Sequence, residues 1–137
     1  MPRLDPSIAL ALLRIATGLL AFPHGLRKLL KGPVAAIGGA MAAHGFPAWF
    51  AYVVVLGELA GLLMVVGLFS RAASVAVALT MAGIALVVNR ADIPLIGTGD
   101  SLGFELSLLL AVASALCALA PSTRFSLDSI RRRTDRS

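Results

Sequence analysis

The stretch "VVVLGELAGLLMVVG", from Val53 to Gly67, decides the class of fold. Glu58 is its single charged residue, and every other position is apolar or glycine. With its flanks the segment extends over about residues 47–69, which is long enough for a membrane-spanning helix, since spanning needs about 20 mostly apolar residues. The sequence therefore predicts a transmembrane helix that carries a carboxyl group near its middle.

The composition supports a membrane environment. Hydrophobic residues make up 58% of the chain and charged residues 14%, against roughly 45–50% and 25% in an ordinary soluble domain. The net charge of +5 is concentrated near segment ends, which favours anionic lipid headgroups over nucleic acid as the partner. The single cysteine, Cys117, excludes an intramolecular disulfide and is expected to be a small buried hydrophobic residue.

Four apolar segments predict an all-α polytopic membrane protein, a bundle of four transmembrane helices, because lipid cannot satisfy the edge of a sheet. The helices are expected at about residues 7–28, 47–69, 71–89 and 101–121, in one membrane domain that covers residues 1–137 and ends in a basic tail at 122–137. Between the first two helices, Gly32 to Gly45 is too short to span. It is expected to form a short interfacial helix or a re-entrant piece.

The distribution of basic residues predicts the orientation. With a cytoplasmic N-terminus, seven basic residues lie inside and four outside, which favours cytoplasmic termini. The inner set is Arg3, Arg71, Arg124, Arg131, Arg132, Arg133 and Arg136, and the outer set is Arg27, Lys28, Lys31 and Arg90.

Ionisable residues inside the membrane cost about 2.5–3.5 kcal/mol each on insertion scales, so they need a partner, a cavity or a function. At 1.5 Å per residue, Arg14 lies on the order of 10 Å above the inner face and Glu58 roughly 14 Å above it. The two side chains are therefore plausible partners. Three alternatives stay open for Glu58: the counter-ion of Arg14 at a functional site, one half of a purely structural ion pair, or a protonated carboxyl.

A second polar layer lies near the outer ends of the helices. It contains His24 and Lys28 at the end of helix one, Asn89 and Arg90 at the end of helix three, and Glu105 at the start of helix four. Arg14, Thr17, His24 and Lys28 fall within an arc of about 80° on helix one. This polar stripe is expected to face the bundle interior, although Lys28, Arg27 and Arg90 could instead extend to the interface. His24, His44 and Glu105 do not have a recognisable ligand spacing, so no metal site is predicted.

Several pieces of the chain resemble the DoxX family of small four-helix membrane proteins. They are "LLRIATGLLAFPHGLRKL" (Leu12 to Leu29), "GELAGLLMVVGLFSR" (Gly57 to Arg71), "GFELSLLL" (Gly103 to Leu110) and "RFSLD" (Arg124 to Asp128). The ordered set of arginine, histidine-glycine, lysine, glutamate-x-x-glycine and a later glutamate carries the resemblance over about residues 12–128.

The resemblance implies a protein of the bacterial inner membrane that is linked to quinone and thiol redox chemistry. The family takes its name from a membrane subunit of a thiosulfate:quinone oxidoreductase, and some members are membrane anchors for soluble redox enzymes. Members often have a histidine near the end of helix three, where this chain has Asn89. The departure weakens any mechanism in which two imidazoles share a proton.

Three functions follow as hypotheses. The first is a redox-linked membrane subunit that binds a quinone or a similar small molecule, with Glu58, His24 and Glu105 as catalytic residues and Arg14, Lys28, Asn89 and Thr17 as binding residues. The chain has no redox centre of its own, so this subunit would need an electron-carrying enzyme as partner. The second is a non-catalytic anchor for a soluble redox enzyme, alone or as a homo-oligomer. The third is a small proton-coupled exporter, which the low aromatic content of 6% disfavours.

Overall fold

The computed structural model describes residues 5–32, 34–89, 91, 93, 96, 102–120 and 126–129. Its main elements are helices: α1 (Pro6–Lys31), α2 (Val34–Ala43), α3 (Phe50–Leu59), α4 (Gly61–Val66), α5 (Ser70–Gly83), a π-helix (Ile84–Val88) and α6 (Leu102–Leu119). The predicted all-α class is confirmed. The predictions for residues 1–4, for Arg90 and for most of the tail at 122–137 concern residues outside the described ranges.

Three helical spans of the described chain are long and apolar enough to cross a membrane: Pro6–Lys31, Ser70–Val88 and Leu102–Leu119. They correspond to the first, third and fourth predicted helices. The second prediction corresponds to Phe50–Val66, which is apolar but shorter and is interrupted at Ala60 between α3 and α4. The chain is a multi-pass helical membrane protein, and the count of four spans stays a prediction.

Helix α1 has clear boundaries. The Asp5 carboxylate accepts a hydrogen bond of 2.8 Å from the Ser7 amide, and Pro6 occupies the first turn, where its missing N–H costs nothing. Gly32 ends the helix with φ 74°, a left-handed conformation that glycine adopts without a steric penalty.

The core lies where α1, α4, α5 and α6 meet. Seven buried hydrophobic residues form it: Ala21, Met64, Ala73, Val77, Met81, Leu110 and Ala111. Cys117, which the sequence predicts to be buried, packs against them but is only partly buried. Large apolar side chains cover the outside as well; Leu79 is 70% exposed and Leu119 is 78% exposed. Helices that are apolar on all sides suit a lipid environment.

Gly57 and Gly61 permit close helix packing, but against different neighbours. A Cβ at Gly61 would lie 2.8 Å from the Gly18 carbonyl oxygen of α1. A Cβ at Gly57 would instead collide with the Thr80 side chain of α5. The small-xxx-small pair therefore holds the second helical segment between the first and the third, since small residues let backbones approach.

The short helix between the first two spans is α2, as the sequence predicts. It is joined to α3 through a turn in which Phe46 stacks on Phe50, with ring centroids 5.4 Å apart. Trp49 and Tyr52 are 62% and 60% exposed, as expected of aromatic residues at a membrane interface. The position of α2 relative to a membrane stays a prediction.

One end of the bundle, here called the Asp128 end, is closed by residues 126–129. The Asp128 carboxylate accepts hydrogen bonds from the backbone amides of Phe69 (2.9 Å) and Ser70 (2.8 Å) and from the Ser70 hydroxyl (2.9 Å). It thereby caps the first turn of α5, whose amides have no partner within the helix. Phe69 itself has a φ of 47°, which a non-glycine residue seldom adopts.

Candidate functional site

The buried carboxyl group of Glu58 is bound by Lys28. Glu58 is 1% exposed, and the Lys28 ammonium donates a hydrogen bond to its Oε1 in a salt bridge. The side chain of Lys28 is 26% exposed, so the pair reaches from the interior towards the end of α1. Burial of this kind is tolerated only when the charges are paired.

The predicted pairing of Arg14 with Glu58 is wrong. Helix α3 begins at Phe50 rather than at Pro47, so Glu58 lies eight residues into it and about 12 Å from its start. The carboxyl is therefore nearer the Lys28 end of α1 than the sequence-based depth implied. A Cβ at Gly25, three residues before Lys28, would lie 2.8 Å from the Glu58 Cβ, which shows the level at which the two helices touch.

The ion pair forms part of the wall of a pocket of about 190 Å³. Four of the residues singled out from the sequence line it: His24, Lys28, Glu58 and Asn89. The remaining walls come from α5, the π-helix and the start of α6: Met81, Ile84, Gly103, Leu106, Ser107 and Leu110. Four separate parts of the chain thus bring polar groups to one cavity, at the opposite end of the bundle from Asp128.

The Oε2 atom of Glu58 is the unsatisfied group of this pocket. It is buried and has no hydrogen-bond partner among the described residues. An unpaired buried acceptor costs about 1–3 kcal/mol, and native proteins keep few of them. A group that enters the pocket and donates to Oε2 would remove this cost.

The π-helix places Asn89 in the pocket. The Asn89 amide donates to the Ile84 carbonyl, five residues earlier, at 2.9 Å. In a regular α-helix a residue five positions on is rotated by about 140°, whereas the wider turn of a π-helix, with its i→i+5 bond, brings the two residues closer to one face. Ile84 and Asn89 therefore face the same cavity. The sequence contains no signal for this π-helix.

His24 contributes a proton acceptor. Its ring Nδ1 lies 2.7 Å from the Leu20 carbonyl oxygen, and a carbonyl only accepts, so Nδ1 carries the proton. In the neutral ring Nε2 is then left as an acceptor. His24 is exposed yet lines the pocket, so it sits between the cavity and the surroundings of the protein.

Ser107 is a pocket residue that the sequence reasoning missed. It is buried and lines the pocket, and its hydroxyl donates to the Gly103 carbonyl at 2.7 Å, so the oxygen can still accept a hydrogen bond. The signal was present: Ser107 and Ser114 are seven residues apart on one face of α6, and both are buried. The sequence-based prediction named Glu105 instead, because it is the charged residue of this part of α6.

The other predicted site residues lie outside the pocket. Arg14 is buried at the Asp128 end, where a Cβ at Gly67 would lie 2.5 Å from its Nη1. Thr17 is buried and donates to the Leu13 carbonyl at 2.7 Å. Glu105 is half-buried in the first turn of α6, where the helix dipole favours an acidic residue. The polar stripe of helix one thus serves two different ends of the bundle.

The side chains of the site include groups that can donate or accept protons. Within the described ranges, no three His, Cys, Asp or Glu side chains come together as metal ligands would. The pocket instead combines a carboxyl, an imidazole acceptor, an ammonium, an amide and a hydroxyl. The catalytic and binding roles of these residues stay predictions.

These features define a polytopic helical membrane protein with a pocket among its helices that several polar side chains line. The chain belongs to the DoxX family, whose family model matches residues 9–90. It is also similar to the Bacillus subtilis (strain 168) protein named "Putative oxidoreductase CatD", with 34% identity over 124 residues, which are 88% of this chain and 85% of the relative. No solved structure matches the chain.

Proposed function

We propose that the protein is a redox-linked membrane subunit that binds a quinone or a similar oxygen-bearing ring in the Glu58 pocket. The observation that carries the proposal is the buried Glu58 Oε2, which has no hydrogen-bond partner among the described residues and belongs to a side chain that lines a cavity together with His24, Lys28 and Asn89. The name of the Bacillus subtilis relative, an oxidoreductase, supports a redox role.

The size of the pocket suits one ring. An apolar cavity of about 150 Å³ in another protein holds a single benzene molecule, and this pocket measures about 190 Å³. Its groups also suit a ring that carries oxygens. Lys28 and Asn89 can donate hydrogen bonds to a quinone carbonyl, whereas Glu58 and His24 Nε2 can accept a hydroxyl proton of the quinol.

Reduction of a quinone to its quinol takes two electrons and two protons. In this proposal Glu58 and His24 exchange the protons with the ring oxygens, since general acids and bases act within hydrogen-bond reach. The electrons come from a partner redox enzyme, because the one cysteine of the chain cannot form a dithiol pair. Lys28 holds the charge of Glu58 while the ring is absent.

The test is mass spectrometry of small molecules extracted from the protein purified in detergent. The wild type should yield a quinone-like ring compound in a stoichiometric amount, and Glu58→Gln should lose it while it keeps its fold. Glu105→Gln is the comparison, since this second carboxyl lies outside the pocket. Bulk lipid alone in all three samples, or loss of the ligand in Glu105→Gln and not in Glu58→Gln, would refute the proposal.

A second candidate is a membrane anchor for a soluble redox enzyme. It is favoured by the Asp128 end, where three hydrogen bonds hold residues 126–129 on the loop before α5. The sequence that follows contains Arg131, Arg132 and Arg133, a run of positive charge that would attract an acidic partner. Crosslinking from a position after residue 129 should then recover one consistent protein, and this recovery should disappear when the three arginines become glutamine.

A further inference from the structure

An apolar groove lies beside the polar pocket, on the face of the bundle where α3 meets α5 and the π-helix. Its volume is about 400 Å³, roughly twice that of the pocket. Met41 and Phe46 cover one end, and Val54 and Val87 belong to its walls. Thr80 is the single polar residue among the described residues that line it.

The groove and the pocket adjoin at Ile84, the first residue of the π-helix, which lines both cavities. The groove also borders residues that face outward: Leu79 is 70% exposed and Val53 is 42% exposed. A molecule could therefore place a polar head among Glu58, Lys28 and Asn89 and lead an apolar tail past Ile84 towards the lipid.

We infer, on the basis of the proposed function, that the ligand is a membrane-dissolved quinone with a long apolar chain, whose ring occupies the Glu58 pocket and whose chain occupies this groove. A water-soluble phenol or a chainless quinone would fill the pocket alone. Among ring compounds, only one that carries an apolar chain would fill both the pocket and the groove.

The groove gains no ordinary hydrophobic free energy from a chain, because lipid tails are as apolar as its walls. Lipid acyl chains would occupy it when no ligand is bound. The chain of the ligand has an advantage over these acyl chains because the bound ring holds it beside the groove at a high effective concentration. Close contacts with the groove walls, each small, then add up.

Gly83 offers a way to fill the groove without disturbing the pocket. It lines the groove, and a Cβ at this position would meet nothing within 4 Å. A leucine here should therefore occupy groove space without a clash. Gly39→Leu is the matched control, because a Cβ at Gly39 also meets nothing within 4 Å and this residue lines neither cavity.

The readout is the amount of quinone that the protein binds, measured by gel filtration in detergent that contains the quinone. Binding is titrated with decylubiquinone and with the same ring lacking the decyl chain. Concentrations are expressed per mole of detergent, so that partition of the chain into the micelle is not counted as affinity.

The wild type and Gly39→Leu should bind decylubiquinone about tenfold more tightly than the chainless ring. Gly83→Leu should abolish this preference and leave the Kd of the chainless ring unchanged. If the chain gives the wild type no advantage, or Gly83→Leu keeps the preference, the inference is overturned even though the ring binds. If neither ring binds to the wild type, the proposed function itself fails.

Discussion

The ion pair between Lys28 and Glu58 predicts unequal effects when either partner is removed. The Glu58 side chain is 2% exposed, whereas that of Lys28 is 26% exposed and lies in the last turn of α1. Without Glu58, the Lys28 ammonium can extend to the interface. Without Lys28, the Glu58 carboxyl stays buried and loses its only described hydrogen bond.

The magnitudes follow from this difference in exposure. Removal of one partner from a buried ion pair costs about 3–5 kcal/mol, but an isolated carboxyl avoids part of the cost by taking up a proton. We expect Lys28→Met to lower the free energy of unfolding by about 2–4 kcal/mol and Glu58→Gln by about 1 kcal/mol. The double variant should resemble Glu58→Gln, because no uncompensated buried charge remains in it.

The assay is reversible unfolding by sodium dodecyl sulfate in mixed micelles, followed by circular dichroism. Lys31→Met is the control: Lys31 is an exposed lysine in the same last turn of α1, and its loss should change stability by less than about 0.5 kcal/mol. If Glu58→Gln is as damaging as Lys28→Met, or if the double variant shows the sum of both losses, the asymmetry argued from burial is refuted.

Three further variants test the packing of the bundle. Gly25→Val should lower the melting temperature in detergent strongly, since overpacking costs about 1–3 kcal/mol or more. The control Gly39→Val should leave it nearly unchanged, and similar melting temperatures for the two variants would contradict the close approach of α1 and α3. Gly57→Ala should also destabilise the protein, because its Cβ would collide with the Thr80 side chain. Thr80→Gly should restore part of this loss in a double-mutant cycle, and purely additive effects would show that the two positions do not touch. Asp128→Ala should cost about 1–2 kcal/mol and speed hydrogen exchange of the first amides of α5; unchanged exchange there would show that the cap is not formed.

Most of the fold could be predicted, because the length and hydropathy of a segment are enough to identify a membrane-spanning helix. The first predicted helix, at about 7–28, is found at Pro6–Lys31, and the last, at about 101–121, at Leu102–Leu119. The boundary difference at the start of the second helix has a clear origin. Pro47 was placed in the first turn of the second helix, but it belongs to the turn that precedes Phe50.

That shift explains why the partner of Glu58 was predicted wrongly. Depth along a helix axis fixes only one coordinate of a side chain, and three residues change it by about 4.5 Å. The level at which α1 meets α3 depends on Gly25, which is close to Lys28 and about 16 Å along the helix from Arg14. The sequence alone does not contain this contact.

The membership of the pocket was predicted in part. Four members could be predicted, because each is a polar residue in or at the end of an apolar segment: His24, Lys28, Glu58 and Asn89. Ser107 was missed because a hydroxyl that bonds to its own helix is inconspicuous among apolar neighbours. The orientation of Asn89 relative to Ile84 depends on an i→i+5 hydrogen bond. No pattern of residues in the sequence predicts this bond.

The cap formed by Asp128 also sets an order of events during synthesis. Asp128 follows Ser70, the first residue of α5, by 58 positions, so the ribosome makes α5 and α6 before it makes the cap. Helix α5 is therefore synthesised before the residue that caps its first amides, and the loop at Phe69 can be fastened only after residue 128 has been added. A nascent protein that stops short of residue 128 lacks this cap at the start of α5.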